Sequence, residues 1–377
     1  MKRVLLAAHV GLALSLSHTP LALSAETEGV ESLLEEIIVT ARKRSETQME
    51  VPLSLEVIGG DDLEKQGINN FQQLSGTVPG LNYSQTFGMQ NRISMRGVGA
   101  TELSSVTPGV GLFVDGVFQP NQSFFAAGFH DVERIEVLRG PQGTLYGRNT
   151  LAGAINITTA TPSDEFEAEV GVDVGNKDSR KIDFAVSGAL TEQNLYARLS
   201  GFYDETDGFF DSDTTGESID ESESEGARLS LIYEPGEAFD ARFTTSYFKQ
   251  EARVPLHNDI DVTDSQYRKF IASSFSADNV DSLSVSLNLN YHLQGMDFIS
   301  ITSYDTNESF GDSDFALLNT IYTGAGVSFN ALTDTKSIGQ EFRLQSNGDK
   351  PLQWIARAGP LPLNSSSPFY KWIHAKV

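Results

Sequence analysis

Residues 165–174 read "EFEAEVGVDV", and along them two kinds of side chain take turns. Phe166, Ala168, Val170, Val172 and Val174 form one set; Glu165, Glu167, Glu169, Gly171 and Asp173 form the other. A period of two places the sets on opposite faces of a strand. The pattern recurs. "KIDFAVSGAL" (181–190) sets Ile182, Phe184, Val186 and Leu190 against Lys181, Asp183 and Ser187, and "DSLSVSLNLNYHL" (281–293) sets Leu283, Val285, Leu287 and Leu289 against serines and asparagines. Similar runs lie near 194–203, 226–234, 240–248, 297–304 and 337–346. They are mostly about ten residues long, where strands of soluble sandwiches average about 5–6. Short turns ("EPGEAF", "LQGM") alternate with long polar stretches at 204–225, 251–280 and 306–336. Long alternating strands with short and long loops in turn are the pattern of a transmembrane β-barrel. A bilayer satisfies no backbone polar groups, so a sheet that crosses it has to close on itself. A soluble extracellular β-sandwich or solenoid is the competing reading.

The 377 residues include 51 Asp plus Glu against 27 Lys plus Arg, a net charge of -24. Such a balance argues against nucleic acid as a partner. Cysteine is absent, which excludes disulfides, thiol nucleophiles and thiolate metal sites. The chain opens "MKRVLLAAHVGLALSLSHTPLALSAETEG": two cations, an apolar run from Val4 to Leu16, then small residues at Ala22, Ser24 and Ala25. This is the layout of a secretory signal peptide, over 1–25. No later run approaches the ~20 apolar residues of a membrane helix. The sequence holds no G-x-x-x-x-G-K-[ST], H-E-x-x-H or G-x-S-x-G. "DSDTTGESIDES" (211–222) falls short of a calcium loop because Ser222 stands at its twelfth position. No acid pair stands out as the machinery of a hydrolase, so the chain is expected to be no enzyme and to need no cofactor or metal.

Upstream of the alternating region the texture is different. Residues 26–50 are polar around one apolar island, Ile37-Ile38-Val39. Residues 51–160 mix strand candidates ("LSLEVI", "GVGLFVDGVF", "RIEVLRG", "GAINITTA") with a helical piece at 60–75, "GDDLEKQGINNFQQLS", in which Asp61 or Asp62 is expected to cap the helix. This composition predicts a compact α+β domain. Within it, "LRGPQGTLYGRNTLAGAINI" (138–157) holds four glycines, two arginines and no acid. The glycines suit a tight turn between two strands.

Several stretches together resemble TonB-dependent outer-membrane receptors. "EEIIVTARKR" (35–44) is similar to their TonB box. "VPLSLEVI", "ISMRGVG", "VGLFVDGVF" and "VERIEVLRGPQGTLYGRNTLAGAINI" follow in the order of their plug domain, and "IGQEFRLQS" (338–346) resembles a barrel-strand motif. The resemblance spans roughly residues 35–356. It implies an α+β plug domain followed by an antiparallel transmembrane β-barrel, which for these transporters has 22 strands and a filled lumen. It also implies energised import across the bacterial outer membrane of a scarce solute, most often a ferric siderophore. The implied partners are outer-membrane lipid, the solute and the TonB protein of the inner-membrane energy-transducing complex. A soluble, secreted or periplasmic β-rich ligand-binding protein is the alternative function.

The resemblance assigns TonB binding to Glu36, Ile37, Ile38, Val39, Thr40 and Ala41, which must be reachable and able to add to a partner's sheet edge. It implies ion pairs between plug arginines (Arg96, Arg139, Arg148) and inward barrel carboxylates, Glu341 first among them, since charges in an enclosed lumen need partners. Phe87, Met89, Gln90 and Phe124, in the stretches 84–91 and 119–125, are the ligand-contact candidates. The expected organisation is a signal peptide (1–25), a box segment (26–50), a plug (51–160) and the N-terminal part of a barrel (161–356). About eight strand-like runs fall well short of a closed barrel. The last stretch, 357–377, departs from the acidic alternating texture and reads as out of frame or foreign, so an incomplete barrel is expected.

Overall fold

The computed structural model describes residues 38–359 apart from 45, 87–89, 100–108, 121–127, 148, 192–193, 210–217, 219, 254–276, 315–327 and 349–351. The signal peptide and the stretch 360–377 therefore lie outside the described residues. Two short strands come first, β1 (Ile38–Val39) and β2 (Glu46–Thr47). The plug then runs β3 (Leu55–Gly59), α1 (Gly60–Gln66), α2 (Phe71–Thr77), β4 (Leu81–Thr86), β5 (Gln90–Met95), β6 (Val98–Gly99), β7 (Val110–Val114), β8 (Val117–Phe118), β9 (Val132–Arg139), α3 (Gly143–Tyr146) and β10 (Gly153–Thr159).

The stretch expected as one helix is two. Gly67 takes φ +67 and ends α1, its N–H reaching the Glu64 carbonyl at 3.1 Å while that of Ile68 reaches Leu63 at 2.8 Å. A left-handed residue with this bond pattern closes a helix and turns the chain away. Asp61 and Asp62 occupy the first turn of α1 without capping it; Gly59 is the N-cap. The side chain that does cap is Asn70, which accepts from the Gln73 N–H at 2.9 Å and starts α2. Leu63, Phe71 and Leu74 still point together into the core beneath the sheet, where each is at most 4% exposed.

The central sheet of the plug has the order β3-β9-β10-β7-β8. β10 lies between β9, antiparallel, and β7, parallel. The glycine-rich stretch of 138–157 is the turn that carries β9 into β10. Gly140 and Gly147 hold φ of +105 and +84 there. Gly153 serves close packing instead. A Cβ on it would overlap the Met95 sulfur and the Leu138 carbonyl, so only glycine lets β10 approach this closely.

The alternating region forms one antiparallel sheet of nine strands in chain order. They are β11 (Glu167–Val174), β12 (Arg180–Thr191), β13 (Leu195–Thr206), β14 (Ser222–Gly236), β15 (Phe239–Arg253), β16 (Ala277–Leu293), β17 (Met296–Asp314), β18 (Ser328–Ser346) and β19 (Ile355–Ala358). β19 runs across residue 356, and among the described residues β11 and β19 each pair on one side only. The faces match the sequence pattern. Val170, Val172, Ile182, Leu199, Leu287 and Phe342 point outward and are 63, 47, 50, 46, 38 and 45% exposed, while Ser187, Ser200, Ser230 and Ser303 are buried facing the plug. A soluble monomer rarely shows so continuous an apolar surface.

The outward apolar belt has edges. Leu195 to Tyr203 on β13, Phe239 to Tyr247 on β15 and Leu283 to Tyr291 on β16 each span eight residue steps, about 26 Å along a strand at about 3.3 Å per residue. At the short-turn rim Phe239, Tyr291, Phe298 and Phe342 form a ladder of rings with centroids 4.7, 6.2 and 6.1 Å apart. Aromatic residues gather where a barrel meets the membrane interface. Above the belt the strands continue, to 19 residues in β17 and β18, with Glu225, Lys249, Glu251 and Asp281 on their outer face. Hydropathy stops at the belt's edge; the hydrogen-bond ladder does not. Hence the strands are longer than the ten-residue runs of the sequence.

The two faces should respond differently to mutation. Leu287→Arg, mid-belt, should cost about 2–4 kcal/mol in vesicle-refolded protein, while Ser286→Ala beside it changes stability by under about 1 kcal/mol, the scale of one hydrogen bond. Urea unfolding followed by tryptophan fluorescence would check this; equal losses would contradict the assigned faces.

Candidate functional site

Glu36 and Ile37 of the box lie outside the described residues. Ile38 and Val39 form β1 and pair with β2 of the same chain, Ile38 opposite Thr47 and Val39 opposite Glu46. Ile38 is 48% exposed, but Val39 and Ala41 are fully buried against the plug. Thr40 donates to Glu136 Oε1 twice, from its backbone N at 2.8 Å and from Oγ1 at 3.1 Å. The Tyr146 hydroxyl donates to the Ala41 carbonyl at 2.8 Å. The expected reachable segment is instead half buried: its apolar side chains have taken the nearest apolar surface, and its polar groups satisfy a carboxylate shielded from solvent. Glu136 is 0% exposed and also accepts from Arg134 Nε at 3.0 Å.

Next along the chain, Lys43 lies over the Phe113 and Tyr146 rings at 5.0 and 4.8 Å. Burial above all, then Arg343, pushes its ammonium down to about 7; Glu341 opposes the shift and Arg357 adds to it. Arg44 reaches the turn before β19, donating to Ser346 Oγ at 2.9 Å and the Trp354 carbonyl at 2.6 Å. The segment is thus clamped at the short-turn rim.

The expected pairing of plug arginines with barrel carboxylates takes another form. Arg139 pairs inside the plug, with Glu56 at 3.4 Å. Arg96 occupies a left-handed turn, φ +52. Arg148 lies outside the described residues. Glu341 is held by two arginines of the barrel itself, Arg343 and Arg357, each at 2.6 Å. Arg357 then passes the contact on to the plug by donating to the Leu145 carbonyl at 3.0 Å.

The main seam between plug and wall has the opposite polarity. Asp131 of the plug accepts from Arg198 of β13, Nη2 at 2.6 Å and Nε at 3.0 Å. Asp115 faces Arg242 of β15 at 3.6 Å, and that guanidinium also donates to Thr159 Oγ1 at 3.0 Å. Between them Arg228 of β14 donates to the His130 carbonyl at 3.1 Å. The three arginines sit on the inward face of adjacent strands. Asp115 and Asp131 both take left-handed backbone, φ +48 and +53, a conformation Asp tolerates better than most residues. The inward face of β11 is acidic, whereas β13, β14 and β15 each turn an arginine inward. The usable signals were "VDGV", an Asp-Gly turn, and arginines on the polar face of three successive runs.

His130 packs its ring on Phe202 of β13, centroids 3.3 Å apart and planes within 9°. Burial, then Lys181 and Arg228, drive its pKa well below the ordinary value of 6.5. Beside this stack a cavity of about 480 Å³ opens between the plug and the wall of β12–β17. Of the ligand candidates, Phe87, Met89 and Phe124 lie outside the described residues, and Gln90 opens β5 with its side chain likewise undescribed. Among the described residues no group of three or more His, Asp or Glu is placed to hold a metal.

Comparison with known proteins bears on this geometry. Residues 47–154 match the family described as TonB-dependent Receptor Plug Domain. Residues 47–154 are thus a plug domain of the TonB-dependent receptor kind, followed by an antiparallel sheet of nine strands. It is 33% identical to the pesticin receptor of Yersinia pestis over 182 residues, 48% of this chain and 27% of that protein. It is 33% identical over 165 residues, 43% of this chain and 23% of the other, to the ferrioxamine B receptor of Salmonella typhimurium strain LT2. Among solved structures, the ferric yersiniabactin uptake receptor FyuA from Yersinia pestis superimposes with a TM-score of 0.67 at 24% identity, over 79% of this chain and 46% of that one. The ferripyoverdine receptor of the outer membrane of Pseudomonas aeruginosa does so with a TM-score of 0.67 at 19% identity, over 83% and 42%. The aligned stretch thus spans about a quarter of these curated relatives and under half of the solved receptors.

Two outcomes follow for the plug–barrel seam. Asp131→Asn keeps the left-handed turn but leaves Arg198 with only Glu167, 3.9 Å away, and should cost up to about 3 kcal/mol; adding Arg198→Met should recover most of it. Hydrogen exchange at β10 amides in the full chain would read both. For His130 the folded pKa is depressed, so its contribution is complete above pH 6.5 and lost as pH falls below that value. His130→Phe, which keeps the ring stack, should flatten the acid-side loss of protection.

Proposed function

We propose that this chain belongs to an importer in the bacterial outer membrane that takes up a ferric siderophore and is driven by TonB acting on residues 36–41. The observation that supports it most is the clamp on the N-terminal segment. Val39 to Ala41 are tied through Glu136 to β9, the strand that adjoins β10 in the middle of the plug. A pull on that segment loads the plug sheet directly. The short-turn rim, where Arg44 is anchored, is then the periplasmic side, and the opposite ends of the strands are the outer side. The relatives and solved receptors named for ferrioxamine B, ferric yersiniabactin and ferripyoverdine favour a ferric siderophore as solute. The exposed apolar belt counts against the soluble binding-protein reading. The organisation follows: signal peptide over 1–25, box segment 26–50, plug 51–160, barrel strands from 161.

Outward loops and the stretches holding Phe87, Met89, Gln90 and Phe124 are the solute-contact candidates. The TonB segment requires release before capture, because one of its two faces is buried. The wall arginines and the plug aspartates hold the plug until work is delivered.

Deleting the gene should abolish growth on one ferric siderophore as sole iron source and spare growth on inorganic iron; undiminished use of every siderophore tried would contradict the proposal. The absence of cysteine makes a single label clean. Ile38→Cys should form a disulfide with a cysteine-bearing periplasmic domain of TonB, and Glu136→Gln should raise the yield severalfold by loosening Thr40.

A further inference from the structure

The cavity between plug and wall lies at the depth of the lipid belt. Asp305 on β17, opposite Ser284 of β16 and Ser337 of β18, faces it, while its neighbour Tyr304 faces outward. Thr244 of β15 lines the same space, and Gln119 of the plug closes it from the end of β8.

Among the described residues, three polar atoms of this lining stand without a hydrogen bond or an ion-pair partner. Gln119 Oε1, Thr244 Oγ1 and Asp305 Oδ1 accept no hydrogen bond, although the residues are only 5, 8 and 3% exposed. Buried polar atoms are almost always satisfied, by protein, water or ligand. Gln119 Oε1 and Asp305 Oδ1 can only accept and the Thr244 hydroxyl can accept as well, so a space they share suits a donor. The charges point the same way. Eight carboxylates and three cationic side chains line the cavity, so its potential favours a cation. Those three are already engaged: Arg198 by Asp131 at 2.6 Å, Arg228 by the His130 carbonyl at 3.1 Å and Lys181 near Asp183 at 3.7 Å. Asp305 interacts only with the Ser284 and Ser303 hydroxyls among the described residues, and its Oδ1 has no partner. Aromatic faces complete the lining, the His130–Phe202 stack with Phe248 6.4 Å from Phe202. Such faces attract cations.

We propose that this cavity is an inner binding site for an organic ammonium group, presented to Asp305, Thr244 and Gln119 between plug and wall. As a staging point for an amine-bearing solute it rests on the import reading; as a binding site it stands alone. The 480 Å³ volume is within the range of small-molecule pockets. The unpaired acceptors set it apart from the seam carboxylates Asp131 and Asp115, which are matched by Arg198 and Arg242.

The test is binding to the full chain in detergent micelles, with no transport involved. The probe is 1,5-diaminopentane, with 1,5-pentanediol and glutarate as neutral and anionic counterparts, measured by calorimetry and by ligand-observed NMR. The diamine should bind at least tenfold more tightly than either counterpart. Asp305→Asn should weaken it at least fivefold while β10 amides keep their exchange protection. Should Asp305→Asn fail to fold, Gln119→Leu on the plug side should weaken the diamine at least twofold. No diamine binding, equal binding of glutarate, or affinity unchanged in every folded variant would overturn the proposal. Any of these would leave import untouched, whereas growth of the deletion strain on every siderophore would remove the staging role and not the site.

Discussion

A peptide group inside a bilayer has nothing to bond but another peptide group. From β12 to β18 each strand therefore has a partner on both sides, in continuous register over as many as 19 residues. Once that ladder is fixed, side chains have no choice but to alternate between lipid and lumen. The lipid side needs only apolar bulk, which Val, Leu and Phe supply. The lumen side has to be polar enough to stay wet or be matched by something that fills it. The plug is that filling, and its chemistry answers the wall residue by residue: Asp131 to Arg198, Asp115 to Arg242, the His130 carbonyl to Arg228.

On the import reading, an ionic seam suits a plug that has to be displaced. An apolar seam of this size would hold by area alone, and every part of it would resist at once. Ion pairs and hydrogen bonds close to water gain little net free energy over their solvated forms. They fix the plug's position while leaving the barrier to separation low wherever water can enter. The left-handed backbone at Asp115 and Asp131 belongs to the same economy of contacts: it aims each carboxylate outward from a turn, in a conformation held partly by the arginine it meets.

Much of this was legible beforehand, and the gaps have physical causes. The period-two runs declare the sheet because one face must please lipid and the other must not. The glycines of 138–157 declare a turn. Strand lengths were underestimated because outward residues above the belt, such as Glu225 and Lys249, return to water while their backbones stay paired. The helix of 60–75 broke at Gly67, where a left-handed cap outweighed the apolar spacing on either side. The sign of the seam was missed for a subtler reason. Alternation reveals which residues face inward, but charge on one strand, β11, says nothing of charge on β13, β14 and β15. Which inward arginine meets which plug loop depends on how the plug is turned in the lumen, and no local pattern carries that.

Glu136 shows how little separates holding from release. It is fully buried and ionisable, so it needs donors, and Thr40 supplies two of them. Withdrawing Thr40 leaves Arg134 at 3.0 Å and Asn156 at 3.4 Å to carry the carboxylate. The charge would then be poorly matched inside the plug sheet, on the strand next to β10. A force that removes the N-terminal segment thus does more than drag on the chain. It turns a satisfied buried carboxylate into an unsatisfied one, and the sheet around it gains a reason to admit water. Tyr146 loses its acceptor at Ala41 in the same step, and Tyr146 belongs to the turn whose Leu145 carbonyl meets Arg357 of the barrel. One displacement at the rim therefore reaches both the middle of the plug and its contact with the wall, through bonds that are short, few and polar.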